Sequence, residues 1–423
     1  MDIAIIGGGA AGFMTAITAR RINPSCKVTI FERAQKVLAK VEITGGGRCN
    51  VTNSFAAIKD MKQAYPRGHK LMKRLMKTFS HEDAYKWFEK HGVPLITQED
   101  ECVFPKAQDS HAIIDCLVRQ AKELNVTICC QHRLTGIHRT EDGRLKLDFE
   151  NDTHRIFHRT IITTGGSPNG RGLQYLACLG HEIEAPVPSL FTFNIKDRAF
   201  CNLMGTVVDP VVTTIPGTKL RAQGPLLVTH WGVSGPAILK LSSYAARILA
   251  NNNYKVPLAI NWTGERTRQE VEENILKLQA ANPRKQISTI HPFGLPSRLW
   301  LYILNKLGLD AMKPWAEVGR KTLNRMIETL VNDQYAITGK GIFREEFVTC
   351  GGVSLNSINP KTLESKVCPN LFFAGEVLDI DAITGGFNLQ AAWTTGVVAG
   401  QNASKMSNQK SYVHTEHTHA MLL

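Results

Sequence analysis

Gly7, Gly9 and Gly12 stand at the G-x-G-x-x-G spacing, and Glu32 follows Gly12 by twenty residues. The first glycine permits a sharp turn, the second lets a pyrophosphate reach the backbone, and the third lets a helix lie close to a strand. An acid at that distance accepts hydrogen bonds from an adenosine ribose. This is the chemistry of holding an adenine dinucleotide. Glycines cluster again in Thr44-Gly45-Gly46-Gly47-Arg48-Cys49-Asn50. Three in a row cost too much entropy inside a helix or strand, so they mark a backbone that something approaches closely. Lys40 and Arg48 offer cations there to a pyrophosphate or an anionic flavin ring. Near the end, a strand runs into Gly375-Glu376, and Thr384-Gly385-Gly386-Phe387-Asn388 opens a helix. A carboxylate so placed suits the ribityl hydroxyls of FAD, and the positive end of that helix would stabilise an anionic reduced flavin.

Groups that could react directly are few. Cys49 reads more readily as a packed or ring-facing thiol than as a nucleophile, because thiol reactivity needs an activating environment. Thr44 and Ser54 stand five residues to either side of it, which excludes a dithiol pair of that spacing. His230, within Thr229-His230-Trp231-Gly232-Val233-Ser234-Gly235-Pro236, is the plausible acid or base of its motif, although such a histidine is more often structural. Pro236 breaks the G-x-S-x-G elbow of hydrolases.

These residues need particular elements beneath them. Residues 3–6 are an apolar run fit for a central parallel strand, residues 10–22 a helix, and residues 27–31 a second strand. Ala10 and Ala11 thereby join the glycines, with unpaired helix N–H groups aimed at the phosphates. Residues 59–77 read as one amphipathic helix with a basic face. Ser80 and Asp83 form a capping box for the next helix. A helix over 110–124 leads into a strand near 126–130, followed by short strands at 134–139 and 145–149. A single apolar strand over 155–164 then stops at Thr164-Gly165-Gly166. Beyond it lie short β runs, helix-like residues 237–249, a helical stretch from 266 to about 335, and residues 348–355 with a turn at Gly351-Gly352. The expected division is 1–187 and 339–405 for a dinucleotide-binding domain, 188–265 for an inserted β domain, 266–338 for a helical subdomain and 406–423 for a disordered tail.

The 423 residues suffice for two or three domains, and a composition of 43% hydrophobic and 21% charged residues is that of an ordinary globular protein. No apolar run is long enough to span a membrane. The chain opens directly on its first strand, so no signal peptide is expected and a cytoplasmic location is. The ten cysteines show no C-x-x-C pair or zinc spacing, which points to free thiols and no metal. A formal charge of +13 suits an anionic partner. Nucleic acid is the less favoured partner for the 59–77 face, because aromatic residues are not interleaved with its charges.

Gly7 to Gly12, the Thr44 to Asn53 block, Thr164-Gly165-Gly166, the His230 to Pro236 block and Ala374 to Gln390 together resemble the BaiN-type NAD(P)/FAD-dependent oxidoreductases, a flavoprotein family that also includes aminoacetone oxidase. The resemblance covers nearly the whole chain. It implies an α/β fold: a Rossmann-like FAD domain of the two-dinucleotide-binding-domain flavoprotein type, built from both chain ends, with β-barrel-like and helical insertions. It implies that Glu32 holds the adenosine ribose, that Leu134 meets the adenine region through its backbone, that Glu376 binds the ribityl chain, and that Gly386, Phe387 and Asn388 line the isoalloxazine. Arg33, Gly46, Gly47, Asn50, Gly375, Asp381 and Gly385 complete the expected cofactor contacts. Glu101-Cys102 stands where many relatives carry Gly-Arg before Val-Phe-Pro, and the loop after Gly166 looks shorter than usual, so the substrate does not carry over from a characterised relative.

The expected activity is FAD-dependent hydride transfer between NADH, NADPH or a small organic substrate and flavin N5, with reduction of a conjugated C=C bond as one version. Amine oxidation with oxygen is an alternative, and an RNA-binding or RNA-modifying flavoprotein is another. A flavin carries the hard chemistry itself, so the absence of a catalytic triad is consistent with each.

Overall fold

The computed structural model describes residues 1–168, 170–341 and 348–405, and the tail expected over 406–423 lies outside them. At its centre, Asp2–Ile6 lies between Arg159–Ile162 and Lys27–Phe31 in a parallel sheet extended by Leu371–Phe373 on one edge and Thr127–Cys129 on the other. Ile3, Ala4 and Ile5 are wholly buried, as an apolar run covered on both faces must be. The Ala10–Ile22 and Phe387–Ala403 helices pack so closely that a Cβ on Gly396 or Gly400 would lie 2.8 Å from Ala11 O or 2.6 Å from Thr15 O. The two ends of the chain thus build one dinucleotide-binding α/β domain, the fold expected from the sequence.

Ile183–Ser189 leads out of this domain and pairs antiparallel with the returning Val348–Val353. Between them the chain closes a six-stranded barrel in the order Phe193–Ile195, Gly232–Ser234, Arg221–Thr229, Val207–Thr214, Pro257–Asn261 and Asp333–Lys340. The helices Arg268–Ala281, Ser297–Lys306 and Arg320–Val331 pack with it in a second core that buries Trp262, Trp300 and Trp315. At that core's centre Asp333 accepts hydrogen bonds from Lys306 Nζ at 2.6 Å, Tyr335 OH at 2.6 Å and Trp262 Nε1 at 2.9 Å.

Several elements differ from the sequence expectation. Residues 59–77 form two helices, Met61–Ala64 and His69–Leu75, because Pro66 cannot continue a helix and Gly68 adopts φ +78°. The strand expected over 155–164 is two: His154–Phe157 pairs with Leu145–Phe149, and Arg159–Ile162 joins the central sheet. The switch falls at His158, whose N–H donates to Asp2 O and whose Nδ1 accepts from Asp2 N–H. Residues 237–249 divide at Ala245, a strong helix former that gives no sign of a break. Gly351 and Gly352 lie inside Val348–Val353, where a Cβ would strike Ala185 O and Val377 O; they permit layering, not a turn. The barrel's last strand, Asp333–Lys340, follows the helical stretch, well beyond residue 265.

Candidate active site

The phosphate turn begins where Asp2–Ile6 ends. Gly7 N–H donates to Phe31 O at 2.8 Å, and Thr163 Oγ1 donates toward Ile6 O and Gly7 O from the neighbouring strand. A Cβ on Gly12 would collide with Gly7 O, so only glycine lets the first helix start this close to the strand. Gly9 is that helix's N-cap and no side chain caps it, which leaves the first-turn N–H groups, those of Ala10 and Ala11 among them, for a ligand. Among the described residues, no atom outside its chain neighbours and its own helix backbone lies within 4 Å of the position of a Cβ on Gly9. Glu32, at the tip of Lys27–Phe31, accepts from Gly8 N–H and Ala34 N–H, each at 2.8 Å, and Arg33 beside it is exposed. Leu134 is buried and pairs with Phe149, whose ring lies 4.7 Å from that of Phe31.

The carboxyl-terminal motif meets this turn directly. A Cβ on Gly375 would sit 2.9 Å from Ala11 Cβ, and Gly375 N–H donates to Thr395 Oγ1 at 2.8 Å. Glu376 accepts from Thr349 N–H at 2.8 Å and pairs with the exposed Lys40 at 3.1 Å. Gly166, after Thr164-Gly165, is so close that a Cβ there would lie 2.7 Å from Glu376 Oε1. Five distant parts of the sequence, at Ala11, Lys40, Gly166, Thr349 and Gly375-Glu376, thereby come together.

A second glycine turn opens the last helix. Gly386 is the N-cap, with φ +88° and no side-chain cap, and a Cβ there would strike Thr52 O. Asn50 locks the turn: its carboxamide donates to Thr52 O at 2.9 Å and accepts from Gly386 N–H at 3.1 Å. Asn53 Nδ2 donates to Gly385 O at 3.1 Å. Phe387 is buried, edge-on to Phe55 at 5.0 Å, and its carbonyl accepts from Tyr65 OH at 2.9 Å. Asn388 exchanges hydrogen bonds with the backbone of Ala382, so its side chain shapes the turn. Gly396 lies against Ala11 ten residues into this helix, which sets the two uncapped N-termini about 15 Å apart along the helix axis. That separation suits the ribityl arm of a bound FAD.

The remaining expected residues play other parts here. Gly46 and Gly47 are left-handed, and Arg48 folds back over Phe104, 4.3 Å from its ring, donating to Gly45 O and Gln108 Oε1. Cys49 is wholly buried, and burial pushes its thiol up to about 12, so it stays protonated. His230 is exposed on a barrel hairpin with its ring 4.4 Å from that of Trp231. Asp381 is buried in a bidentate ion pair with Arg67 and also accepts from Ser189 Oγ at 2.9 Å; burial raises its pKa while Arg67 opposes the rise. Sequence reasoning placed neither Arg67 nor Thr349 at the site. Arg67 follows Pro66 inside a basic run, and the only available sign was a helix pattern interrupted by proline and glycine.

A family model described as the HI0933-like protein Rossmann domain matches residues 1–402. The chain is 25% identical over 419 residues to a 3-dehydro-bile acid delta(4,6)-reductase of Clostridium scindens, covering 95% of this chain and 99% of that one. It is 27% identical over 411 residues to a ribosomal RNA dihydrouridine synthase of Escherichia coli, covering 95% and 97%. Among solved structures, a 3-ketosteroid-delta4-(5alpha)-dehydrogenase from Rhodococcus jostii RHA1 shares the fold with a TM-score of 0.52 at 14% identity, covering 96% of this chain and 97% of that one.

Proposed function

Because the chain belongs to the HI0933-like Rossmann family of flavoprotein oxidoreductases, we propose that it reduces a ring C=C bond conjugated to a carbonyl, drawing electrons from NADH or NADPH. Bound FAD supplies hydride transfer in both directions. The observation that carries the reading is a pair of helix N-termini without side-chain caps, at Gly9 and Gly386, set about 15 Å apart along the last helix by the contact of Gly396 with Ala11. At the first, backbone N–H groups bind the diphosphate; at the second, the positive helix end favours negative charge on the flavin's pyrimidine edge. Glu376 holds the ribityl hydroxyls between them. The relatives support the direction of the chemistry, since one is named a delta(4,6)-reductase and the other a synthase of dihydrouridine.

The test is anaerobic stopped-flow spectroscopy of the purified yellow protein. NADH or NADPH is expected to bleach the flavin, and a cyclic enone to restore the colour. Bleaching by amines, with colour returned only by oxygen, would replace this reading with that of an amine oxidase.

A second reading, in which the double bond belongs to a pyrimidine of an RNA, is favoured by one feature. An open groove lined by Lys62, Arg67, Tyr244 and Arg247 adjoins the exposed Lys59, Lys70, Lys73, Arg74 and Lys77. RNA retention that falls steeply with salt would support it.

A further inference from the structure

The groove beside Arg67 lies on the boundary between the two domains. One wall is the segment from Lys62 to Arg67, and the other is formed by Tyr244, Arg247 and Ile248 of the barrel-side helices Pro236–Tyr244 and Ala246–Asn251. Tyr244 OH donates to Gln63 O at 2.9 Å and ties the two walls together. The first wall is also the back of the turn that opens the last helix. Ile383 N–H donates to Ala64 O at 2.9 Å, Tyr65 OH donates to Phe387 O at 2.9 Å, and Arg67 pairs with Asp381. One short segment thus touches both the groove and the turn assigned to the flavin.

Three cations line the groove, and they are held differently. Arg67 spends Nε and Nη2 on Asp381 and Nη1 on Ser243 O, which fixes its guanidinium in place. Arg247 gives only Nη2 to acids, at 2.9 Å from Asp379 and 3.6 Å from Glu184; its Nε and Nη1 have no acceptor among the described residues. Lys62 is exposed and forms no ion pair among the described residues. Asp381 is wholly buried and the Asp379 side chain is only 13% exposed, whereas that of Arg247 is 43% exposed. A ligand entering here therefore meets the cations before the acids that orient them.

The rest of the lining is apolar: Pro66, Leu220, the Tyr244 ring and Ile248, an isoleucine left 37% exposed. Charged donors set around apolar surface are the chemistry that recognises an acid carried on a ring. The volume of about 250 Å³ falls below the roughly 300–1,000 Å³ of a site for a whole small molecule. An acidic group with one ring fits it, and a dinucleotide does not.

We propose that this groove binds an oxyanion, a carboxylate or a phosphate, carried on a ring, and that it anchors the end of the substrate remote from the double bond. The anchoring role rests on the reductase reading above; the binding of the anion does not. The substrate class is then a cyclic enone bearing an acidic group, held by Lys62, Arg247 and the accessible edge of Arg67.

Isothermal titration calorimetry of the FAD-loaded full chain tests the binding, with phenyl phosphate and benzoate as the two anions and phenol as the uncharged ring. At least one anion is expected to bind tenfold or more tightly than phenol, and the tighter of the two identifies the acid. Lys62→Met and Arg247→Met are each expected to weaken it about tenfold, and Arg247→Lys to recover part of the loss. Ile248→Trp, which alters no charge, is expected to weaken it by filling the groove. Phenol binding as tightly as both anions, binding indifferent to these substitutions, or binding of an RNA oligonucleotide but of neither small anion overturns the site.

Reoxidation of the reduced flavin by a cyclic enone carboxylic acid and by its methyl ester tests the anchoring. The acid is expected to half-saturate the reaction at a tenfold lower concentration, and Arg247→Met to remove the difference. Equal half-saturation in the wild type overturns the anchoring role. A flavin that neither enone reoxidises, beside calorimetry as expected, overturns the reductase reading and the anchoring with it but leaves the anion site in place.

Discussion

Arg67 and Asp381, 314 residues apart in the chain, form a bidentate ion pair with the carboxylate fully buried. Arg67 also donates to Ser243 O at 2.6 Å, and Asp381 accepts from Ser189, so the pair joins the basic segment, the barrel unit and the turn that leads to Gly385. Removing one partner strands a buried charge. Arg67→Met is expected to destabilise the fold by about 3–5 kcal/mol, and the double variant Arg67→Met, Asp381→Leu to recover most of that. Urea denaturation of the two proteins measures the difference.

Gly9 and Gly12 are close in sequence but fail differently. Gly9→Ala meets no atom of the described residues within 4 Å beyond its neighbours in the chain and has ordinary backbone angles, φ −92° and ψ −168°, so its methyl intrudes on the space left for the diphosphate. It is expected to keep the apoprotein's thermal stability and lose FAD affinity. Gly12→Ala drives its methyl into Gly7 O and is expected to lower both. Differential scanning fluorimetry with and without added FAD separates the two outcomes.

Glu376 and Lys40 make an ion pair whose members matter unequally. Lys40 keeps 61% of its side-chain surface exposed and Glu376 21%, so the pair itself contributes little. Loss of a charged hydrogen-bonding group is worth about 1.5–3 kcal/mol, so Glu376→Ala is expected to weaken FAD binding roughly 10- to 100-fold. Lys40→Met is expected to weaken it much less. Fluorescence titration of the apoproteins with FAD checks both.

His81 stacks on Phe55 at 4.8 Å, and Phe55 meets Phe387 at the start of the last helix. Burial lowers the pKa of His81, and its Nδ1 has no hydrogen-bond partner among the described residues. The folded state therefore prefers the neutral ring. Its contribution is complete above the usual value near 6.5 and is lost as pH falls through the lowered one. His81→Phe keeps the stack and is expected to flatten the fall in Tm between pH 7.5 and 5, measured by thermal melts across that range.

What the sequence made legible was local. Gly7, Gly9 and Gly12 with their flanking apolar strand and helix are a contiguous pattern, and the Ser80 capping box is formed as spaced. Partners far along the chain were not legible. Nothing near residue 67 specifies Asp381; the pairing exists only once the two ends of the chain have come together. Asp333–Lys340 was missed for the same reason: its neighbours in the barrel, Phe193–Ile195 and Pro257–Asn261, lie across an intervening helical stretch.

The chain leaves for the barrel along Ile183–Ser189 and comes home along Val348–Val353, two strands hydrogen-bonded to each other. The covalent path into and out of the barrel thus runs through one seam, and the hydrogen bonds from Arg67 to Ser243 O and from Tyr244 to Gln63 O fix how the barrel sits on the domain that it leaves.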